Sequence, residues 1–138
     1  MIKNIFCDLD GTLYRGGISP SDIEAINEAR LNGINFNIAT GRVYKHSVNI
    51  LEDVASGGDL ICENGSYIYD PEGSCIHKTS LTDGQIKKII EVYRSLDCID
   101  MVDDVIYFKY EGQIIMTRDG SSSDYFTKGY EVDETFMD

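Results

Sequence analysis

The chain opens on an apolar run, Ile2, Ile5, Phe6 and Cys7, that ends at Asp8-Leu9-Asp10-Gly11-Thr12. This is the pattern of a buried strand whose carboxyl end turns at a glycine. The rhythm then changes. Ser19 suits an N-cap, Pro20 the first helical position, and Ile18 and Ile23 stand at hydrophobic-staple spacing. Ile23, Ile26 and Ala29 continue as an apolar helical stripe, which Asn32-Gly33 ends. Ile34, Phe36 and Ile38 alternate with Asn35 and Asn37 in the period of a strand and lead into Ala39-Thr40-Gly41-Arg42. A central parallel strand normally reads as continuously apolar, so one face of this strand is expected to be thinly covered. Tyr44, Val48, Leu51 and Ala55 recur at helical spacing up to Gly57-Gly58. Leu60-Ile61-Cys62 is a short third strand broken by Glu63-Asn64-Gly65.

This β-α-β-α-β order predicts a parallel sheet with helices on its faces. Beyond it the signals become those of hairpins. Tyr67-Ile68-Tyr69 and Cys75-Ile76-His77 flank a turn at Asp70-Pro71-Glu72-Gly73. Thr82 and Gln85 have capping-box spacing and open a helix with Ile86, Ile89, Ile90 and Tyr93 on one side. A second hairpin is expected from 105–110 and 113–117, joined at Glu111-Gly112. Ser121-Ser122-Ser123 reads as a loop, and Tyr125-Phe126 as the start of a short helix or strand. The fold class is therefore α/β: a partial Rossmann-like parallel sheet over 1–80, followed by the beginning of an α+β unit over 81–138. There is no internal repeat.

Composition narrows the partners. Twenty-four acidic against twelve basic residues leave a net charge of −12 over 138 residues, which argues against a nucleic-acid backbone or an anionic membrane as the main partner. The tyrosines after position 90 read as sheet packing, since the cations of a nucleic-acid platform are missing. No stretch reaches the roughly 18 apolar residues of a membrane span, and Met1-Ile2-Lys3-Asn4 lacks a signal-peptide pattern. Cys7, Cys62, Cys75 and Cys98 lie far apart, and three of them sit in strand-like runs. Reduced core thiols and a cytoplasmic location are expected.

The chemistry concentrates at the strand ends. Asp8 and Asp10, two positions apart, would share a face if the strand continued, but Gly11 allows a bend. Two close carboxylates repel, so they need a cation or a division of labour between nucleophile and acid/base. Thr40 and the Gly41 amide suit an oxyanion nest one β-α unit later. Arg42 is either a substrate-side cation or a solvated residue in the first turn of a helix. His46, on a face expected to be exposed, and His77 have no triad-like companions and read as structural or solvated. Cys7 should point away from Asp8 into the core.

Phe6 to Thr12, followed by Leu13-Tyr14, resembles the first motif of the haloacid-dehalogenase-like (HAD) hydrolases, Asp-x-Asp-Gly-Thr. The resemblance implies that Asp8 is the phosphoryl-accepting nucleophile and Asp10 the acid/base. It implies that Thr40, at the end of the second strand, binds the transferring phosphoryl group together with Gly41. Ile61 to Asp70 is similar to the Cys-x-Asn-Gly-Ala-x-Ile-Tyr-Asp run of the Cof-type sugar-phosphate phosphatase branch, which brings Asn64 near the site. The implied cofactor is Mg²⁺, on Asp8 and Asp10, the latter through its backbone carbonyl. The implied partner is a small phosphorylated metabolite.

Two motifs of the family do not appear, its catalytic Lys and Gly-Asp-x-x-x-Asp. Lys109 and Lys128 stand in cap-like contexts, and Asp119-Gly120 and Asp133-Glu134 lack the preceding strand. The expectation is a chain that ends inside the cap, with an incomplete metal site and an uncovered neighbour edge on the first strand. The alternative is an inactive remnant that self-associates through core or cap edges. A phosphoacceptor receiver domain fits less well, because of the Gly-Thr after Asp10 and the cap-like hairpins.

Overall fold

A computed structural model describes residues 2–52, 54, 56–97, 107–110, 113–116 and 131–132. It forms two compact units, 1–79 and 80–138. In the first, β1 (Asn4–Asp8), β2 (Asn35–Ala39) and β3 (Gly57–Cys62) pair in parallel. They are joined by α1 (Pro20–Leu31) and α2 (Tyr44–Ile50). A single 3-10 turn, Glu63–Gly65, leads from β3 into β4 (Tyr67–Tyr69) and β5 (Cys75–Lys78). The hairpin extends the same sheet, in the order β1-β2-β3-β4-β5, with antiparallel pairing beyond β3.

Local signals explain the helix boundaries. Ser19 Oγ accepts from the Asp22 amide at 3.1 Å with Pro20 at the first position, satisfying one of the amides a helix start leaves open. At the other end Gly33 takes φ 73° and its amide donates to Arg30 O at 3.0 Å, so the chain leaves α1 through a left-handed residue. The core of this unit gathers Leu9, Leu13, Ile26, Ile38, Leu60, Cys62 and Tyr67. Each fully buried aliphatic side chain here contributes about 1.5–3 kcal/mol relative to exposure.

Several expectations change. The second helix ends at Ile50, with Leu51 as its C-cap, and Gly57-Gly58 belong to β3 rather than terminating a helix. The reason is steric: a Cβ on Gly58 would stand 2.5 Å from the Phe36 carbonyl oxygen, where β2 and β3 shift register between Phe36 and Ile38. The expected thin cover of one face of β2 holds at Asn35, which is exposed, but Asn37 on the same face is buried. Its Oδ1 accepts from the Asp59 amide at 2.8 Å and its Nδ2 donates to Ile5 O at 3.0 Å, so one side chain bridges β1 and β3 across β2.

Phe6, in contrast, is 64% exposed. Among the described residues β1 has one sheet neighbour, β2, and Asn4, Phe6 and Asp8 are its exposed positions. Cys75 is exposed on β5 and so is not a core thiol, while Cys7 is half-buried against the core and Cys62 fully buried. Cys98 lies outside the described residues.

The second unit holds α3 (Asp83–Ser95), opened by the expected capping box. The Gln85 amide donates to Thr82 Oγ1 at 3.3 Å, and the Thr82 amide to Gln85 Oε1 at 2.8 Å. Its sheet pairs β6 (Tyr107–Tyr110) with β7 (Gln113–Met116) antiparallel, as the second hairpin predicts. A short β8 (Glu131–Val132) lies parallel to β7, and no sequence pattern announced it. The loop and helix-or-strand readings over 121–126 lie outside the described residues.

Candidate active site

The parallel register sets Asp8 opposite Ala39 and Ala39 opposite Ile61. The loops leaving β1, β2 and β3 therefore emerge together at the carboxyl edge of the sheet, where open α/β sheets carry their ligand sites. Asp8 and Asp10 flank Leu9, which is fully buried. That anchor, with Leu13, leaves both acids exposed on the surface of a tight loop. The loop closes through the Leu13 amide on Asp8 O at 3.3 Å, Tyr14 on Leu9 O at 2.7 Å and Gly11 on Tyr14 O at 2.9 Å. Gly11 takes φ 78°, a conformation glycine adopts without the Cβ penalty.

Each acid has its own partner. Thr12 Oγ1 donates to Asp8 Oδ2 at 3.0 Å. Arg42 grips Asp10 with both arms of its guanidinium, Nε to Oδ2 at 2.8 Å and Nη2 to Oδ1 at 2.7 Å, while its cation lies 5.7 Å from the centre of the Tyr14 ring. The hydrogen bonds from Arg42 hold the Asp10 carboxyl below its ordinary value, prevailing over a desolvation that raises it; the Arg42 charge adds to the lowering. Of the two alternatives for Arg42, the first-turn one does not hold, and in the folded chain its side chain pairs with Asp10. Arg42 precedes α2, whose N-cap is Val43, so it is not a first-turn residue, and it ties the β2 loop to the β1 loop.

Thr40 is buried, its amide donating to Ile61 O at 2.9 Å and its Oγ1 accepting from the Arg42 amide at 3.2 Å. The 3-10 turn lies directly behind. The Asn64 amide donates to Thr40 O at 3.1 Å and the Glu63 amide to Arg42 O at 3.0 Å. The Asn64 side chain reaches Gly41, where an added Cβ would meet Oδ1 at 3.1 Å. All six residues singled out from the sequence, Asp8, Asp10, Thr40, Gly41, Arg42 and Asn64, lie on these three neighbouring loops.

Other residues sort as their surroundings dictate. Burial, followed by Asp8 and Asp22, raises the Cys7 thiol, which suits an inert packing residue better than a nucleophile. His46 is half-buried rather than exposed, and its pKa is lowered by that burial, then by Arg42 and Lys45. His77 is exposed on β5, with Nε2 3.0 Å from Thr79 Oγ1. Sequence reasoning passed over Thr12, Tyr14 and Glu63. Thr12 carried a signal, a hydroxyl four positions after the first acid. Glu63 is a buried glutamate at a strand end, and nothing in its neighbours announces it.

The donor chemistry bears on a metal. The Asp8 carboxylate and the Asp10 carbonyl are hard oxygens, whereas the Asp10 carboxylate is committed to Arg42. Among the described residues no three His, Cys, Asp or Glu side chains converge. This set fits a Mg²⁺ ion that keeps most of its waters, not an all-protein cage.

Residues 5–136 match the haloacid dehalogenase-like hydrolase family, and the chain belongs to it. Among its relatives, phosphatase YwpJ of Bacillus subtilis is 33% identical over 82 residues, covering 58% of this chain and 29% of that protein. Pyridoxal phosphate phosphatase YbhA of Escherichia coli is 28% identical over 124 residues, covering 82% of this chain and 44% of that one. The chain thus spans less than half the length of these curated relatives. BT1666 of Bacteroides thetaiotaomicron, a phosphatase of the superfamily, superposes with a TM-score of 0.71 at 26% identity, over 86% of this chain and 42% of that one. A protein of Thermotoga maritima has the same fold, with a TM-score of 0.77 at 20% identity over 99% of this chain and 51% of that one.

Proposed function

We propose that this chain carries the phosphoryl-transfer loops of a Mg²⁺-dependent phosphomonoesterase of the Cof type, acting on a small phosphorylated metabolite of the sugar-phosphate class. The observation that carries the reading is the register that sets the Asp8 strand end beside the Thr40-Gly41 turn. Residues 81–138 are assigned to the beginning of the cap domain, and the cytoplasm, where thiols stay reduced, is the proposed location.

In this mechanism the substrate phosphate draws Arg42 away from Asp10, relieving the hold that keeps that carboxyl ionised, so that Asp10 enters the step protonated. An Asp8 carboxylate oxygen attacks phosphorus in line, the bond to the substrate alkoxide breaks, and Asp10 gives that alkoxide its proton. Asp10 then takes a proton from water as the water oxygen attacks the aspartyl-phosphate, releasing phosphate and restoring Asp8. Thr12, by holding Oδ2, orients the nucleophile. Thr40 and Gly41 hold the equatorial oxygens, and Arg42 gains in phosphate a second bidentate acceptor that competes with Asp10. Mg²⁺, on the Asp8 carboxylate and the Asp10 carbonyl, would supply charge neutralisation at the phosphoryl oxygens.

The test is turnover of an aryl phosphate by the purified chain. Mg²⁺-dependent release of the phenolate, abolished by EDTA and reduced by about a thousandfold or more in Asp8→Asn, is expected for a lost nucleophile. Equal turnover by Asp8→Asn would refute the mechanism.

A second reading has its own observation. Phe6 stands 64% exposed on a strand with one sheet neighbour among the described residues, the profile of an edge open to pairing. On this reading the chain is catalytically silent and self-associates through β1. Silence in the aryl phosphate assay together with concentration-dependent sedimentation would favour it.

A further inference from the structure

Glu63 and Asn64 stand at φ 53° and 56°, the two non-glycine residues in the left-handed region among those described. Two successive L-residues in that conformation are disfavoured by their Cβ atoms, and such pairs persist where the surroundings over-determine them. What determines them here is the turn at 40–42. In this conformation the Glu63 amide reaches Arg42 O at 3.0 Å and the Asn64 amide reaches Thr40 O at 3.1 Å, so both ends of the three-residue turn are drawn back toward β3.

A consequence follows from the planarity of the peptide. In a trans unit the carbonyl and the next amide point in opposite directions. With the Thr40 carbonyl directed at Asn64, the Gly41 N–H is directed away from it. The Asn64 side chain lies beside the same residue, its Oδ1 3.1 Å from where a Gly41 Cβ would stand, so that glycine leaves room for it there.

We infer that the Glu63–Asn64 pair is the device that aims the Gly41 amide, with Asn64 as a positioning residue for oxyanion binding. This rests on the reading of the Thr40-Gly41-Arg42 turn as the phosphate site. It goes further in assigning the aim of that turn to a left-handed pair more than twenty residues away in sequence. If the pair served merely to connect β3 to β4, a glycine at 64 would do as well or better, and residue 41 would not sense the change.

The full chain carrying Asn64→Gly, Gly41→Ala and both substitutions tests this by two measurements. The first is thermal unfolding. Asn64→Gly keeps or raises the midpoint, because glycine favours the left-handed region. Gly41→Ala lowers the midpoint when Asn64 is present and lowers it less in the Asn64→Gly background, since the opposing amide is gone. The second is titration with inorganic phosphate in the presence of Mg²⁺, followed at the Gly41 amide by nuclear magnetic resonance. Asn64→Gly is expected to weaken phosphate by about five- to tenfold while remaining as stable as the parent, the size of coupling typical of residues in contact.

Unchanged phosphate affinity in Asn64→Gly, or an equal Gly41→Ala cost in both backgrounds, would overturn the inference. If the parent protein itself fails to bind phosphate, the reading of the turn as a phosphate site falls. The unfolding cycle then still decides whether Asn64 positions residue 41.

Discussion

Two acids separated by a buried leucine form the centre of this site, and their difference in partners differentiates their chemistry. Asp8 accepts a hydroxyl hydrogen bond from its own loop, whereas Asp10 is gripped by an arginine from the next. The Asp10 pKa lies below its ordinary value of 3.8 in the folded chain. The pair therefore contributes stability that is fully present above that ordinary value and is lost as the pH falls through the folded pKa. We expect the unfolding midpoint of the parent to drop more steeply than that of Asp10→Asn between about pH 5 and pH 2, with Arg42→Ala removing the difference. Parallel curves for parent and Asp10→Asn would show that the ion pair adds nothing in solution. At this scale the sequence was legible where chemistry is carried by neighbours, as in Asp8-Leu9-Asp10-Gly11-Thr12. It was open at Arg42, whose partner lies 32 positions away.

Strands and helices show the same division. The ends of α1 and the capping box of α3 were written in adjacent residues, and both formed as expected. Asn37 was readable only as an anomaly, a polar residue in the rhythm of a strand. Its burial follows from two hydrogen bonds to strands on either side, which no local pattern contains. Replacing Asn37 with Ala would leave the Asp59 amide and the Ile5 carbonyl without this partner in a part-buried setting. We expect a loss of about 1–3 kcal/mol, measured by urea unfolding; a loss below a few tenths would mean that water replaces the side chain. The length of α2 departs from its sequence pattern for a related reason. Gly57 and Gly58 resemble a helix stop, but the close approach of the Phe36 carbonyl makes Gly58 a sheet residue.

For the molecule as a whole, the strand that carries Asp8, β1, has one sheet neighbour among the described residues, and Phe6 on it is exposed. A net charge of −12 opposes contact between copies. Added salt screens that repulsion without weakening apolar contact, so association through this edge should increase with ionic strength. Phe6→Lys is expected to abolish that salt-dependent increase in sedimentation velocity; an unchanged profile would place any association elsewhere.

The sequence by itself determined the α/β class, the family and the acids of the β1 loop. These depend on hydrophobic period, caps and a contiguous motif, all of which operate over a few residues. The tertiary structure alone decided that Arg42 clamps Asp10, that Asn37 bridges three strands and that Glu63 and Asn64 turn left-handed behind the Thr40-Gly41 loop. Each of these depends on the parallel register, which sets side by side residues that the intervening helices separate in sequence.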